Sequence, residues 1–350
     1  MDQKIEELFQ EYDRKMNELC NDSPAYDTDD LFNTYRAYRK VILAKRAGLS
    51  DEALEKDIRA FAAMTDALHV RKDAPERIYL WPEGKMPAEP ESRIPPMFRM
   101  ADDFRPYMYE VLVSPEVTPK GAVLCVAGGF QGRTVVNEGY GIALEFRKLG
   151  YQCFVIHNRV NALDFNTKCS LNGKENGADI ARAIRYIRAN ADQYRIPADR
   201  VAAAGFSNGG ATIENCVQYY SGTRTVKEYF PGYEPDELDA YYGAPDVYIN
   251  VYGQRFPEVP FDWTGVVYPP VFEAAGRDDD TGATSNLYTL LPDLLAHNVP
   301  VEVHTFAGTP HGRTAYNLIW EKEDHPNFDL FVPLADAFMQ DAYQKNERRD

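Results

Sequence analysis

A chain of 350 residues, 44% of them apolar, is long enough for one large α/β domain with an added segment and a sizeable core. The formal charge of −16 argues against nucleic acid or an anionic membrane as partner, because either would repel it. Five cysteines (Cys20, Cys125, Cys153, Cys169 and Cys216) lack metal-ligand spacing, and no apolar run approaches the ~18 residues of a membrane span.

Residues 1–72 read as a helical segment. Ile5, Leu8, Phe9, Tyr12, Met16 and Leu19 recur at helical spacing. Leu31, Tyr35, Tyr38 and Ile42 continue the pattern in a second helix that follows Asp27, Asp29 and Asp30 and ends near Gly48. A third runs from about Asp51 to Val70, with Ser50 as its N-cap. The acidic first decade does not read as a leader peptide, so a cytoplasmic protein with reduced thiols is expected. These helices are expected to pack on the main domain or on a second copy of the chain, or else to cap the substrate entrance.

Pro75, Pro82, Pro87, Pro90, Pro95, Pro96 and Pro106 then break any helix and mark a join with short edge strands such as Arg77 to Trp81. From about residue 107, within an expected main domain 73–350, strands and helices alternate. Strands are expected at Tyr107–Val113, Ala122–Val126, Tyr151–Ile156, Val201–Gly205, Val247–Tyr252, Val271–Ala275 and Val301–Phe306. Helices are expected at Tyr140–Leu149, Glu175–Arg195, Ala211–Tyr220, Leu287–His297 (kinked at Pro292) and Phe331–Tyr343. Alternation of this kind predicts an α/β fold: a mainly parallel sheet covered by helices on both faces, with ligands at the C-terminal strand ends.

One turn stands out. Gly205-Phe206-Ser207-Asn208-Gly209-Gly210 places G-x-S-x-G between an apolar strand and a helix, where a strained turn presents a serine hydroxyl above the sheet edge. A serine nucleophile needs a base, and the base needs a carboxylate to orient it. The strand Val301–Phe306 is followed by a Gly/Pro loop carrying His311. Of the other histidines, His69 lies in the helical segment, His157 precedes the serine, His297 ends a helix, His304 lies within a strand and His325 sits in a polar tail. The strand Val271–Ala275 is followed by Gly276-Arg277-Asp278-Asp279-Asp280. Of these carboxylates Asp279 stands G-x-x-D from Gly276, with Asp278 the next choice. The order serine, acid, histidine along the chain suits acyl transfer on such a sheet. Ala127-Gly128-Gly129-Phe130, directly after the strand Ala122–Val126, is a loop where backbone N–H groups could meet a developing oxyanion, together with that of Asn208.

Residues from about Ile78 to Tyr343 resemble the acetylesterase branch of the α/β-hydrolases, the carbohydrate-esterase and lipase-like group. The resemblance rests on Val126 to Phe130, on Arg195-Ile196-Pro197-Ala198-Asp199-Arg200-Val201 leading into the elbow, and on Pro269-Pro270-Val271-Phe272 leading to Asp279 and His311. Pro235 to Asp239 and Ala244-Pro245-Asp246 add a weaker likeness. It implies Ser207 as nucleophile, Asp279 as acid and His311 as base, with Gly128, Gly129 and Asn208 as oxyanion donors. Asn208 stands where the family has alanine, a departure of no consequence if only its backbone is used. The implied activity is hydrolysis of a short-acyl ester, acetyl above all, with a carbohydrate as one candidate alcohol, without metal or cofactor. The alternatives are a serine peptidase or amidase on the same scaffold, and a non-catalytic binding protein. Pocket walls are expected from the loops Val160–Ser170 and Thr223–Tyr233.

Overall fold

The computed structural model describes residues 3–50, 52–88, 94–129, 132, 134–164, 169–255, 261–312 and 330–347. Phe130 and His325 therefore lie outside the described residues, as does part of the loop after Val160. The helices are α1 (Gln3–Asn21), α2 (Thr28–Arg46), α3 (Glu52–Ala67), α4 (Ile142–Lys148), α5 (Gly173–Ala189), α6 (Ala191–Tyr194), α7 (Asn208–Tyr220), α8 (Val226–Tyr229), α9 (Ala283–Ala296) and α10 (Phe331–Glu347). The strands are β1 (Ile78–Tyr79), β2 (Tyr107–Val111), β3 (Ala122–Val126), β4 (Gln152–His157), β5 (Leu163–Asp164), β6 (Cys169–Ser170), β7 (Val201–Phe206), β8 (Val247–Val251), β9 (Val271–Gly276) and β10 (Val301–Phe306).

Eight strands form one sheet in the order β1-β2-β4-β3-β7-β8-β9-β10, while β5 and β6 make a separate antiparallel pair. β1 and β2 are antiparallel to their neighbours, and the pairings from β4 across to β10 are parallel. The chain leaves β3 toward β4 on one side and returns to β7 on the other. That reversal opens a crevice at the C-terminal ends of β3 and β7.

β3 shows why the sheet is covered twice. Its five residues are fully buried, yet they divide by parity, as the two-residue period of a strand requires. Val123 and Cys125 join a core built by α1 to α4 and α10. Ala122, Leu124 and Val126 join a second core built by α5, α7 and α9. Buried side chains of this kind contribute roughly 1.5–3 kcal/mol each through area removed from water.

The N-terminal helices share the first core and are tied to the sheet by polar contacts. Asp22 accepts hydrogen bonds from Tyr107 Oη (2.8 Å), Tyr109 Oη (3.0 Å) and Arg77 Nη2 (2.5 Å). Asn21 Oδ1 accepts the Gly132 N–H at 2.7 Å, and the Thr28 and Tyr140 hydroxyls lie 2.7 Å apart. The segment that follows the Gly-Gly loop is thereby clamped from outside the sheet. At the start of α2, Asp27 accepts from the N–H groups of Asp29 and Asp30, satisfying first-turn donors that have no intrahelical partner.

Several boundaries differ from expectation. The helix expected at 140–149 begins earlier, as a π-helix over Val135–Gly141 that passes into α4. The helix expected at 175–195 stops after Ala189, where Asn190 turns its side-chain amide back onto the Tyr186 carbonyl, and Arg195 is left-handed at φ 57°. α7 begins at Asn208, directly after the serine, and α9 runs through Pro292.

Glu273 sits in the middle of β9 with Oε1 buried and unpartnered among the described residues. Burial pushes its carboxyl up to about 8, against the opposing pull of Asn250 and Arg255. The folded state therefore keeps a proton that the unfolded chain releases above its ordinary value of 4.5. Stability falls as pH rises through that window, by at most about 1.4 kcal/mol per pH unit. Thermal melts of Glu273→Gln should lie above the wild type at pH 8 and converge on it toward pH 4.5. A gap that does not change with pH would contradict the linkage.

Candidate active site

Ser207 follows β7 with φ 51° and ψ −119°, backbone angles that cost a non-glycine residue about 1–3 kcal/mol and persist only when the surroundings impose them. They are imposed from both sides. The Ser207 N–H donates to the Val251 carbonyl of the neighbouring strand at 3.0 Å, and the Ser207 carbonyl accepts the Gly210 N–H at 3.0 Å in the first turn of α7. The hydroxyl is thereby lifted over the sheet edge at a helix N-terminus.

His311 and Asp279 come from the loops after β10 and β9. Gly276 allows those loops to meet, because a Cβ there would lie 2.0 Å from the Thr309 carbonyl oxygen. Ser207 Oγ lies 2.9 Å from His311 Nε2, and His311 Nδ1 lies 2.7 Å from Asp279 Oδ2. Asp279 accepts only, so Nδ1 carries the ring proton and Nε2 is left to accept from the serine hydroxyl. The other carboxylate oxygen of Asp279 accepts from Thr281 N (2.9 Å) and Oγ1 (2.6 Å). Burial works to raise the Asp279 carboxyl, but the hydrogen bonds from His311 and Thr281 outweigh it and hold the group below its ordinary value. The Asp279 side chain is fully buried, whereas Asp278 and Asp280 show no such contact with the imidazole among the described residues. The other described histidines stand apart. His157 is buried at the end of β4, its pKa lowered to about 4 by burial, and His297 stacks on Trp263 with ring centroids 3.7 Å apart.

The expected oxyanion donors divide. The Gly128 N–H does not face the site freely; it donates to Glu138 Oε2 at 2.7 Å. That corrects the expectation for Gly128, since an amide already bonded to a carboxylate cannot also receive an oxyanion. Gly129, at φ +60°, and Asn208, in the first turn of α7 where backbone N–H groups have no intrahelical acceptor, remain beside the serine.

The Asn208 side chain, which sequence reasoning set aside, is in use. Its Nδ2 donates to the carbonyls of Gly129 (3.2 Å) and Asn161 (3.0 Å), and its Oδ1 accepts from Asn161 Nδ2 (2.9 Å). Asn161 in turn accepts from Ser170 Oγ (2.5 Å) and Asn176 Nδ2 (3.1 Å). An uncharged amide lattice thus ties the Gly-Gly loop, the elbow and the loop after β4 together. Glu138 and Tyr252 also went unforeseen. The signals were a lone carboxylate in the otherwise uncharged run Val135 to Gly141 and an aromatic residue at the end of a strand.

A cavity of about 190 Å³ opens over Ser207 and His311, walled by Leu163, Ala211, Gln254 and Thr281. Next to it, sharing Ala211 and Gln254, is a recess of about 110 Å³ that is rich in polar groups: Asn161, Ser170, Glu214, Asn215 and Gln218. The loop after Val160 therefore supplies walls, as expected. Residues of the Thr223–Tyr233 loop do not: Tyr229, Phe230 and Tyr233 line a separate cleft with Lys85 and Met86. A cleft of about 830 Å³ lies at the N-terminal ends of β8 to β10; Trp263 and His297 help line it, and Ser207, Asp279 and His311 do not.

No protein-family model matches the chain, and no curated protein matches it. Solved structures do. One is an acetyl ester-xyloside bifunctional hydrolase from Caldicellulosiruptor lactoaceticus, 19% identical over 76% of this chain and 96% of that one, with a TM-score of 0.53. Esterase 2 of Thermogutta terrifontis phosphorylated by paraoxon is 15% identical over 77% and 95%, with a TM-score of 0.53. A sugar hydrolase from Lactococcus lactis is 18% identical over 71% and 98%, with a TM-score of 0.51. At such identities the likeness is one of architecture. Taken with the strand order and the serine at the β7–α7 turn, it makes this chain a protein of the α/β-hydrolase fold.

Proposed function

We propose that the chain hydrolyses carboxylic esters through an acyl-enzyme on Ser207. The observation that carries this reading is the hydrogen-bonded row from Ser207 Oγ through His311 to the buried Asp279, built on a strained turn at a helix N-terminus. His311 Nε2 takes the hydroxyl proton as Ser207 attacks the ester carbonyl. Asp279 holds the ring and stabilises the imidazolium, and the oxyanion rests on the N–H groups of Gly129 and Asn208. The imidazolium then protonates the departing alcohol, and water repeats the cycle on the acyl-enzyme.

The acyl group is short, with acetyl the best fit. The cavity of about 190 Å³ supports this, being smaller than the roughly 300–1,000 Å³ of pockets for drug-sized ligands. The polar recess beside it supports a hydroxyl-rich alcohol such as a sugar, whose hydroxyls would meet Ser170, Asn215 and Gln218. Turnover of p-nitrophenyl esters of increasing acyl length, set beside acetylated sugars and a dipeptidyl amide, tests the reading. Acetate should turn over fastest, with rates dropping steeply for long acyl chains. Faster cleavage of the amide, or no turnover of any ester, would reject it.

A further inference from the structure

Three departures from ordinary backbone or burial converge behind the imidazole. The segment leading into α4 is a π-helix, a rare form that gathers at functional sites, and all seven of its residues are buried. It carries Glu138, a carboxyl that is 5% exposed. Gly139 lets the π-helix sink this far, because a Cβ there would come within 2.9 Å of Val155 Cγ1 in β4. Tyr252, just beyond β8, is a bulky residue at φ +42°, and its N–H donates to the Ala274 carbonyl of β9 at 2.7 Å.

Glu138 joins these parts. Oε2 accepts the Gly128 N–H at 2.7 Å, and Oε1 accepts the Tyr252 hydroxyl at 2.8 Å. The Tyr252 ring lies against His311, with ring centroids 4.6 Å apart at 55°. A single buried carboxyl thus spans from the loop beside the serine to the aromatic wall behind the base. Two donors aimed at its two oxygens are the arrangement a carboxylate accepts. Burial raises its pKa, while Gly128, Tyr252 and the nearby His311 work in the opposite direction. His311 and Tyr252 are the titratable groups that face it among the described residues.

We propose that Glu138 is a positioning residue of the site: it draws the Gly-Gly loop back through the Gly128 N–H and fixes the Tyr252 ring behind His311, so that loop and imidazole hold one relative placement. The proposal rests on the hydrolase reading of Ser207 and His311. Glu138 itself touches neither substrate nor reacting atoms. A small misplacement of loop against base is costly in rate, because the reacting groups must meet in a narrow range of geometry.

The test compares wild type with Glu138→Gln, which keeps the shape and can still accept the Gly128 N–H, and with Tyr252→Phe, which keeps the ring and removes only the hydroxyl. Glu138→Gln is expected to lower kcat roughly tenfold or more while KM stays near the wild-type value. Tyr252→Phe should change kcat in the same direction, and the double variant should fall short of the sum of the two, as for residues acting through one contact. The NMR chemical shifts of the His311 ring protons, which sense the ring current of Tyr252 4.6 Å away, provide a readout independent of turnover. They should change in Glu138→Gln as the Tyr252 ring loses its anchor. Wild-type kcat in Glu138→Gln, or His311 ring shifts that do not change, overturns the proposal. A wild-type protein that cleaves no ester while its His311 ring shifts still respond to Glu138→Gln would sink the hydrolase reading and leave the Glu138–Tyr252–His311 linkage standing.

Discussion

Ser207→Ala is expected to abolish both ester turnover and labelling by a fluorophosphonate probe. Removing the nucleophile from a hydrogen-bonded triad costs on the order of 10⁶ in kcat, because the histidine and aspartate have no other group to activate. The variant should keep its fold. The strained backbone at φ 51° is imposed by the Val251 carbonyl and the first turn of α7, neither of which depends on the hydroxyl. Circular dichroism and a thermal melt close to wild type would show that chemistry alone was lost. Labelling that persists in the alanine variant would move the nucleophile elsewhere.

The second large effect is expected at Asp279. Asn in its place still reaches His311 Nδ1, but a carboxamide can present its NH₂ there and favour the wrong ring tautomer, an exchange that costs about 10⁴ in kcat in a triad of this kind. Asp278→Asn and Asp280→Asn should remain within a few-fold of wild type, since neither carboxylate is seen to reach the imidazole. Asp279 is held below its ordinary value by His311 and Thr281, so it stays ionised across the neutral range and its partnership with His311 is lost only as pH falls through the depressed pKa. Steady-state rates of the three single variants on one acetyl ester separate the residues. Equal losses at Asp278 and Asp279 would mean that the acid turn works as a unit.

What the chain displayed in its sequence were the features tied to period and order. Ala122 to Val126 and Val201 to Phe206 are apolar at every position because helices cover both faces, so their identity as buried strands followed from composition. Ser207, Asp279 and His311 follow strands whose C-terminal ends share one edge, and parallel topology alone brings them together. What stayed hidden depends on side-chain direction. The seven residues Val135 to Gly141 do not distinguish α from π winding, so the depth of Glu138 could not be read. The engagement of the Gly128 N–H followed from that depth. Asn208 looked interchangeable with alanine because its use depends on where Gly129 and Asn161 come to lie. The break after Ala189 has the same origin: Asn190 is an unremarkable helix residue until its amide folds back on the Tyr186 carbonyl.

The clamp from Asn21 to Gly132 joins residues 111 positions apart. Contacts of that separation form slowly, because the intervening chain must first surrender its freedom, while helices such as α1 and α2 form locally and fast. The loop beside Ser207 is therefore finished by a partner that emerges before the sheet during synthesis and must wait for the sheet to exist before it can dock. Refolding should restore helix content and the buried cores ahead of turnover, making catalytic competence the last property the chain acquires.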